Sequence, residues 1–503
     1  MSTLIFDRDR EWSDLSDFVS SEHLGLRLAI VSGRRRQGKS HLLRRLTRAA
    51  GGLYHQAQEV GRTQALARFS DDLGLGFGLG RGKLHFDDWD SALRSALTYP
   101  ARGSDDRPVN QPSGPRPLLV IDELPYLIEH SPEIPSILQE LYDESRDEID
   151  RYPAAAVIIC GSALSVMADL LSGTKALRGR AQIDMTLRPF DYLQARDYWH
   201  IPDPAVAFQI DAVLGGTPGY EALIDAPPPP DEKALPWWFA GSVLNPAHAL
   251  FGESGYLLRE DPTIRDKSLY NSILIAVAGG QHTVKGIGGV IGRDHNALRH
   301  PLAVLQSAGF LNRVEDMLTQ KRPLFFIADP IIRFAEVVIE PFRALLEERA
   351  DVAAWSAAAP AYSSQVLGPH FEHIAVTWTA RYSGERWGQP VGEVGPAVVN
   401  DPAGRSQHQL DVLAFARGRR RQDPKAPIVM IGEAKATNQH RTLADLQRLE
   451  HLRDLLAARE WDVTRTHLAL FSREGWDESL AEAGANRTDV HLIDLKTLYQ
   501  RPS

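Results

Sequence analysis

The segment Gly33-Arg34-Arg35-Arg36-Gln37-Gly38-Lys39-Ser40 sets two glycines, a lysine and a serine at the spacing G-x-x-x-x-G-K-[ST], a combination suited to holding a polyphosphate. Glycines let backbone N–H groups turn inward around an anion, the lysine bridges β- and γ-oxygens, and the serine hydroxyl can ligate Mg2+. Gln37 and His41 share this loop and the helix start after it. Gly33, Gln37, Gly38, Lys39, Ser40 and His41 are therefore assigned to ATP contact. A second run, Leu118-Leu119-Val120-Ile121-Asp122-Glu123, ends an apolar strand in two carboxylates. Asp122 suits the Mg2+ shell beside Ser40, and Glu123 suits a general base that polarises the attacking water. A third run, Ala154 to Cys160, ends in Gly161-Ser162, which puts Ser162 where a γ-phosphate could be sensed. Arg178 and Arg180, in Leu177-Arg178-Gly179-Arg180, offer guanidiniums for developing phosphoryl charge, from this chain or a neighbouring subunit.

Another group of chemistry-bearing residues lies near the end of the chain. His408 to Phe415 reads as a strand carrying Asp411, and Val429 to Lys435 as a strand carrying Glu433 and Lys435 two apart, hence on one face. Asp411 and Glu433 on adjacent strands can hold one divalent cation, with Lys435 beside them to orient the hydrolytic water. Between these strands, Arg417-Gly418-Arg419-Arg420-Arg421-Gln422 reads as a basic hairpin tip suited to a phosphate backbone, or equally as a solvated turn.

The elements that must position these groups follow from composition and periodicity. A chain of 503 residues with a net charge of -9 is ordinary globular material and not one coated in nucleic acid. The single cysteine, Cys160, excludes an internal disulfide framework, and the 17 histidines show no ligand-spaced cluster. No apolar run is long enough to span a bilayer and no basic-then-apolar leader opens the chain, so a soluble cytoplasmic protein without a membrane partner is expected. From Leu28 to about Pro189, β-rich runs alternate with helical stretches, the pattern of a parallel sheet wrapped by helices, interrupted by a polar loop from Tyr99 to Pro117. Pro227-Pro228-Pro229-Pro230 marks a linker. Helices are expected near Tyr270 to Val277, Val284 to Ile291 and Asn296 to Ala308, followed by a hairpin starting at Gly309-Phe310-Leu311 and returning at Pro323 to Ile327. On that helix-turn-helix spacing, Arg293, His295, Asn296, Arg299 and His300 could contact DNA, or could simply form a solvated face. An Ala-rich stretch near Ala353 to Ala361 reads as the separator before a last strand-helix mixture.

These motifs together resemble the archaeal-type P-loop ATPases of the AAA+/STAND group, with a winged helix and a C-terminal restriction-endonuclease-like domain. Asp122-Glu123 is similar to their Walker B, Gly161-Ser162 to sensor 1, and Leu177 to Arg180 to a Tyr-Gly-Arg element, with Arg178 where an aromatic is usual. Phe6-Asp7-Arg8-Asp9-Arg10-Glu11 looks like the N-terminal Phe/Arg/Glu box, implying that Arg8 packs near adenine. Gly215-Gly216-Thr217-Pro218 is similar to the element that replaces a sensor 2 arginine, implying a nucleotide contact at Pro218. Asp411, Glu433 and Lys435 look like the D…(D/E)-x-K signature, which implies Glu372 as a further metal ligand and a polar role for Gln447. Asp329 to Phe334 resembles the family's intermodule segment. The implied organisation is an α/β P-loop core (1–189), a helical lid (190–262), a winged helix (263–347) and a restriction-endonuclease-like α/β domain (348–503). The implied function is an ATP- and Mg2+-dependent switch controlling a DNA nuclease, able to act as a homo-oligomer or with a protein partner. The alternative is a signalling or scaffold ATPase that binds DNA or a protein without cutting.

Overall fold

The computed structural model describes residues 5–98, 117–147, 154–261, 263–264, 266–319, 323–402, 404–419, 423 and 426–501. Most of the Tyr99–Pro117 loop and the tip residues Arg420, Arg421 and Gln422 lie outside them. The chain forms two compact units, one of Met1–Pro189 with Glu260–Arg265 and one of Phe190–Arg259 with Asp266–Ser503. The lid, helix-turn-helix and C-terminal segments distinguished in the sequence all fall within the second unit. No helix of the described residues is long and apolar enough to cross a membrane.

In the first unit the elements are α1 (Asp9–Ser20), β1 (Leu26–Ser32), α2 (Lys39–Ala50), β2 (Leu53–Gln56), α3 (Arg62–Gly76), α4 (Trp89–Thr98), β3 (Leu118–Asp122), α5 (Leu124–His130), α6 (Ile134–Asp147), β4 (Ala155–Gly161), α7 (Leu164–Asp169) and β5 (Ala181–Thr186). The strands form one parallel five-stranded sheet in the order β2-β3-β4-β1-β5. Successive residues of β1, β3 and β4 enter opposite cores. Leu28, Ile30, Leu119, Ile121, Val157 and Ile159 pack with α3, α4 and α6, whereas Ala29, Val31, Val120, Ile158 and Cys160 pack with α1 and α2. A sheet covered on both faces is what continuous apolar runs specify. The order sets β4 between the strand that enters the glycine loop and the strand that ends in Asp122. The segment Glu260–Arg265 joins this unit through Asp261, whose carboxylate accepts the Ser165 hydroxyl at 3.1 Å.

The second unit begins with α8 (Tyr192–Tyr198), α9 (Pro204–Leu214), α10 (Leu235–Gly241) and α11 (Glu253–Glu260). There follow α12 (Lys267–Ala278), α13 (Val284–Ile291), α14 (Arg299–Ser307) and an antiparallel hairpin of β6 (Leu311–Glu315) and β7 (Pro323–Ile327). The third helix of this group starts three residues later than its pattern suggests, because the Asp294 carboxylate accepts the Asn296 N–H at 2.8 Å and closes a separate turn. Then come α15 (Pro330–Phe334), α16 (Arg343–Glu347), α17 (Asp351–Ala361) and α18 (Gly368–Arg381). The Ala-rich stretch expected to separate modules is α17, in keeping with alanine's helix preference. It runs on into α18 through a π-helical segment at Tyr362–Leu367, just past Pro360, which has no N–H to continue the ladder.

Last come β8 (Val391–Asp401), β9 (Ser406–Ala416), β10 (Ile428–Lys435), α19 (Leu443–Ala457), β11 (His467–Ser472), α20 (Glu478–Ala485), β12 (Val490–Asp494) and α21 (Leu495–Leu498). They make a mixed sheet ordered β12-β11-β10-β9-β8, antiparallel at β8/β9 and β9/β10 and parallel beyond. The turn after β6 is seated on this sheet. Met317 is buried in its core, and the Asp316 carboxylate accepts the Val398 N–H at 2.8 Å.

Glu336, in the π-helical turn after α15, is buried, and one carboxyl oxygen has no hydrogen-bond partner. Burial first, then the charge of Glu340, push its pKa up to about 7 from 4.5. Between those values the folded state keeps a proton that the unfolded chain has shed, so stability is full below pH 4.5 and falls as pH rises to 7. Glu336→Gln should remove this loss, raising stability at pH 8 by on the order of 2–3 kcal/mol and leaving it unchanged at pH 4. Urea unfolding at both pH values checks it.

Candidate functional site

β1 delivers the chain into the glycine loop, and α2 leaves it with its positive end toward the loop. Gly33 (φ +153°) passes so close to the chain after β5 that a Cβ would stand 2.7 Å from the Leu187 carbonyl, so residue 33 must lack a side chain. Gly38 (φ 90°) caps α2 in the left-handed region. Lys39 is buried and folds back over the loop, its Nζ donating to the carbonyls of Gly33 at 2.5 Å and Arg34 at 2.9 Å. Gln37 is buried, with Oε1 close to Gly33. Ser40 and His41 open onto a cleft of about 370 Å³ that Arg44, Arg45 and Arg48 of α2 also line. Partial burial and neighbouring Arg45 hold the His41 imidazole below its ordinary pKa. Arg8, at the start of α1, donates to Glu11 at 2.9 Å and to the Arg188 carbonyl at 2.6 Å.

Asp122 is fully buried at the end of β3. Its Oδ1 accepts the Glu123 N–H at 3.1 Å and its Oδ2 accepts the hydroxyl of Tyr54 from the adjoining β2. Burial and Asp122 itself push the Cys160 thiol well above its usual pKa, which keeps it a neutral donor beside that carboxylate. Glu123 adopts φ 57° and ψ 46°, a left-handed conformation that costs a non-glycine residue about 1 kcal/mol or more. That turn sends its carboxylate across the end of β4, where Oε2 accepts both the N–H (3.0 Å) and the hydroxyl (2.9 Å) of Ser162. The strand order thus brings Lys39, Asp122, Glu123 and Ser162 to one sheet edge.

The arginines are held elsewhere. Arg180 forms a two-pronged pair with Asp143 of α6 at 2.9 and 2.7 Å, which lowers the pKa of Asp143. Arg178 is exposed and donates to the Gly173 carbonyl. Pro218 belongs to the second unit, where it opens a 3₁₀ turn and its carbonyl lies 3.3 Å from the Tyr198 hydroxyl. Its neighbour Gly216 accepts the Phe190 N–H at 2.8 Å.

In the second unit, the residues at Leu413 and Gly432 are paired with Gly395 and Val412 respectively, and carrying the β9/β10 register one step further sets Asp411 opposite Glu433. Between Ala397↔Leu410 and Gly395↔Leu413, β9 spends one more residue than β8, so Asp411 sits in a bulge that re-aims its side chain. Its Oδ2 accepts the Ala434 N–H at 2.8 Å. Glu372, from α18, interacts with Asp411, Glu433 and the buried Arg333. Burial and then Asp411 push the pKa of Glu372 up to about 8, and burial, opposed by the Ala434 bond, pushes that of Asp411 up to about 6. Sequence reasoning missed the cations here. Buried Arg441 binds Glu433 at 2.9 Å and Asp445 at 3.3 Å, and Arg448 approaches Glu433 at 3.3 Å. Lys435 stands 4.0 Å from Glu433 and 3.6 Å from Asp445. Gln447 is exposed on α19, and Arg293, His295, Asn296, Arg299 and His300 are all exposed.

The sequence also offered no histidine cluster, yet Asp401, His408 and His451 converge in space. Separations of 7 and 43 residues hide such a group from any ligand-spacing pattern. Tyr54, too, becomes visible only once β2 is placed beside β3.

No protein-family model matches the chain. An uncharacterized protein of Methanocaldococcus jannaschii is 23% identical over 354 residues, which cover 69% of this chain and 71% of that protein. Among solved structures, the chain is similar to the Walker-type ATPase of Pyrococcus abyssi at 17% identity and a TM-score of 0.48, over 66% of this chain and 96% of that one. It is similar also to the Aeropyrum pernix ORC2 protein in its ADPNP–ADP complexes, at 14% identity and a TM-score of 0.41, over 69% of this chain and 95% of that one. At these scores, the chemistry rests on the residues of the site itself.

Proposed function

We propose that the first unit binds and hydrolyses ATP with Mg2+, and that its nucleotide state controls a metal-dependent DNA nuclease in the second. The observation that carries the first half is the meeting of Lys39, Asp122, Glu123 and Ser162 at the carboxyl ends of three buried parallel strands. The groups fit a nucleoside triphosphate. The Gly33 cradle admits no Cβ, α2 points its N-terminus at the loop, and Lys39 rests on carbonyls that an anion can replace. Ser40 and Asp122 would hold Mg2+, which would neutralise phosphate charge. Glu123 is the base that takes the proton of water, with Ser162 orienting it. Arg8 and His41 flank the nucleotide. Arg180, engaged by Asp143, would have to leave that pair to reach phosphate, so a role in trans is open to Arg178 first.

In the second unit, Asp411 and Glu433, with Glu372, would hold a divalent cation that activates water toward a phosphodiester, with Lys435 steadying the charge that develops. The raised pKa values of Glu372 and Asp411 support this, since clustered buried carboxyls favour protons or a cation. The mixed sheet, with α18 and α19 beside it, suits a restriction-endonuclease-like domain. The α12–α14 group with its hairpin suits a winged helix, and its exposed Arg293 and Arg299 suit DNA phosphates. A non-cleaving module is favoured by one observation, the buried Arg441 already paired with Glu433.

Lys39→Ala should weaken ATP binding by about 100-fold or more in calorimetric titration, through loss of charge-assisted hydrogen bonds. Unchanged affinity would overturn the site. Glu123→Gln should bind ATP as the parent does while hydrolysing it about 100-fold or more slowly in a phosphate-release assay. Incubated with plasmid and linear DNA and Mg2+ or Mn2+, with and without ATP, the protein should cleave, and Lys435→Ala should cleave about 100-fold less. No cleavage under any condition would select the binding module.

A further inference from the structure

Apart from the carboxylates around Glu433, three residues of the second unit bring one ligand atom each to within 4.8 Å of the other two: Asp401, His408 and His451. Asp401 ends β8 and His408 lies near the start of β9. The pairings Asp401↔Ser406 and Val399↔His408 make them diagonal neighbours on one face of the hairpin. Val399 on that face is buried with Leu449 and Leu452 of α19, so α19 lies over it and carries His451 to the same spot. Arg459 fixes the end of this helix to the hairpin by donating to the Asn400 carbonyl at 2.8 Å.

The geometry is that of a ligand set. His451 Nε2 stands 3.5 Å and His408 Nε2 3.8 Å from Asp401 Oδ2. Ligands at about 2.05 Å from a tetrahedral ion stand about 3.3 Å apart, so small rotations close the site. Asp401 is preset for it. Oδ1 accepts the Gly404 N–H at 2.9 Å, which leaves Oδ2 facing the imidazoles, and a Cβ at residue 404 would stand 2.5 Å from that oxygen. The Ser406 hydroxyl lies 3.1 Å from His408 Nε2 and would turn aside to free that nitrogen for an ion. The side chain of His451 is 52% exposed and that of Asp401 11%, so the cluster opens to solvent on the helix side.

We propose that Asp401 Oδ2, His408 Nε2 and His451 Nε2 bind one Zn2+-class transition-metal ion, leaving a coordination position to water. Two imidazoles and one carboxylate suit zinc and its neighbours and disfavour Mg2+ and Ca2+, which take oxygen ligands. The ion ties the β8–β9 hairpin to α19. This site is independent of the nucleotide site and of Asp411 and Glu433.

The full-length protein, stripped of metal with a chelator, is titrated with Zn2+ against a chromophoric competitor, and separately with Co2+ while its visible absorption is followed. One Zn2+ should bind tightly, with a Co2+ spectrum of mixed nitrogen and oxygen coordination. His408→Asn and His451→Gln should each weaken Zn2+ by about 100-fold and abolish that spectrum, and Gly404→Val should weaken it too. Asp411→Asn, which spares these ligands, should retain both. Unchanged circular dichroism shows that each variant is folded, as expected for half-exposed His451. If the parent binds no Zn2+, or if parent and His408→Asn/His451→Gln bind it equally, the cluster is an ion pair only and the proposal fails.

Discussion

Strands buried on both faces can be polar only at their ends, and the first unit is organised by that constraint. β1, β3 and β4 have no exposed residue along their length, and the glycine loop, Asp122-Glu123 and Ser162 all stand at or just past their carboxyl ends. The order of the strands then decides which groups meet. Because β4 lies between β1 and β3, Ser162 falls between the glycine loop and the Asp122-Glu123 pair. The left-handed backbone of Glu123 is strained locally and is sustained by two hydrogen bonds from Ser162 and by α5 starting at the next residue. Such strain persists only where the surroundings fix it, and here it aims a carboxylate.

The second unit meets a different electrostatic problem. Glu372 and Asp411 lie close to Glu433 in a place that disfavours the charged forms of the first two. Arg333, Arg441 and Arg448 and Lys435 counter them from α15, α19 and its lead-in, and β10. Neither set is stable there alone, since an uncompensated buried charge costs several kcal/mol. The acids and their arginines form one balanced cluster. A phosphodiester beside Arg448 and Lys435 would meet its positive side, whereas a cation would meet the carboxyls.

Much of this was legible in the sequence where one element carries its own signal. Apolar runs ending in Gly33, Asp122 and Gly161 located three strands and the groups at their ends, because burial on both faces leaves an uninterrupted signature. The run Val284 to Ile291 marked α13, whose N–H at Gly286 the Thr283 hydroxyl caps at 3.0 Å. What failed to show was whatever depends on two elements meeting. Arg441 looks like one more surface arginine until α19 folds its lead-in against β10. Asp401, His408 and His451 share no spacing. The Ala-rich run misled because small residues read as a spacer, whereas in the fold Ala354 and Ala358 are buried and let α17 pack closely.

The glycine loop, in the role proposed for it, would be a phosphate site that is stable before its ligand arrives. A buried ammonium without partners would be costly, and Lys39 avoids this by donating to the Gly33 and Arg34 carbonyls. Those acceptors are neutral. A phosphate oxygen is anionic, so it would add Coulomb attraction to the hydrogen bond that the ammonium donates. Exchange of carbonyls for phosphate would therefore favour the lysine, while Gly33 and Gly38 set the shape of the loop. The same loop that satisfies Lys39 at rest so holds it where the proposed anion would bind.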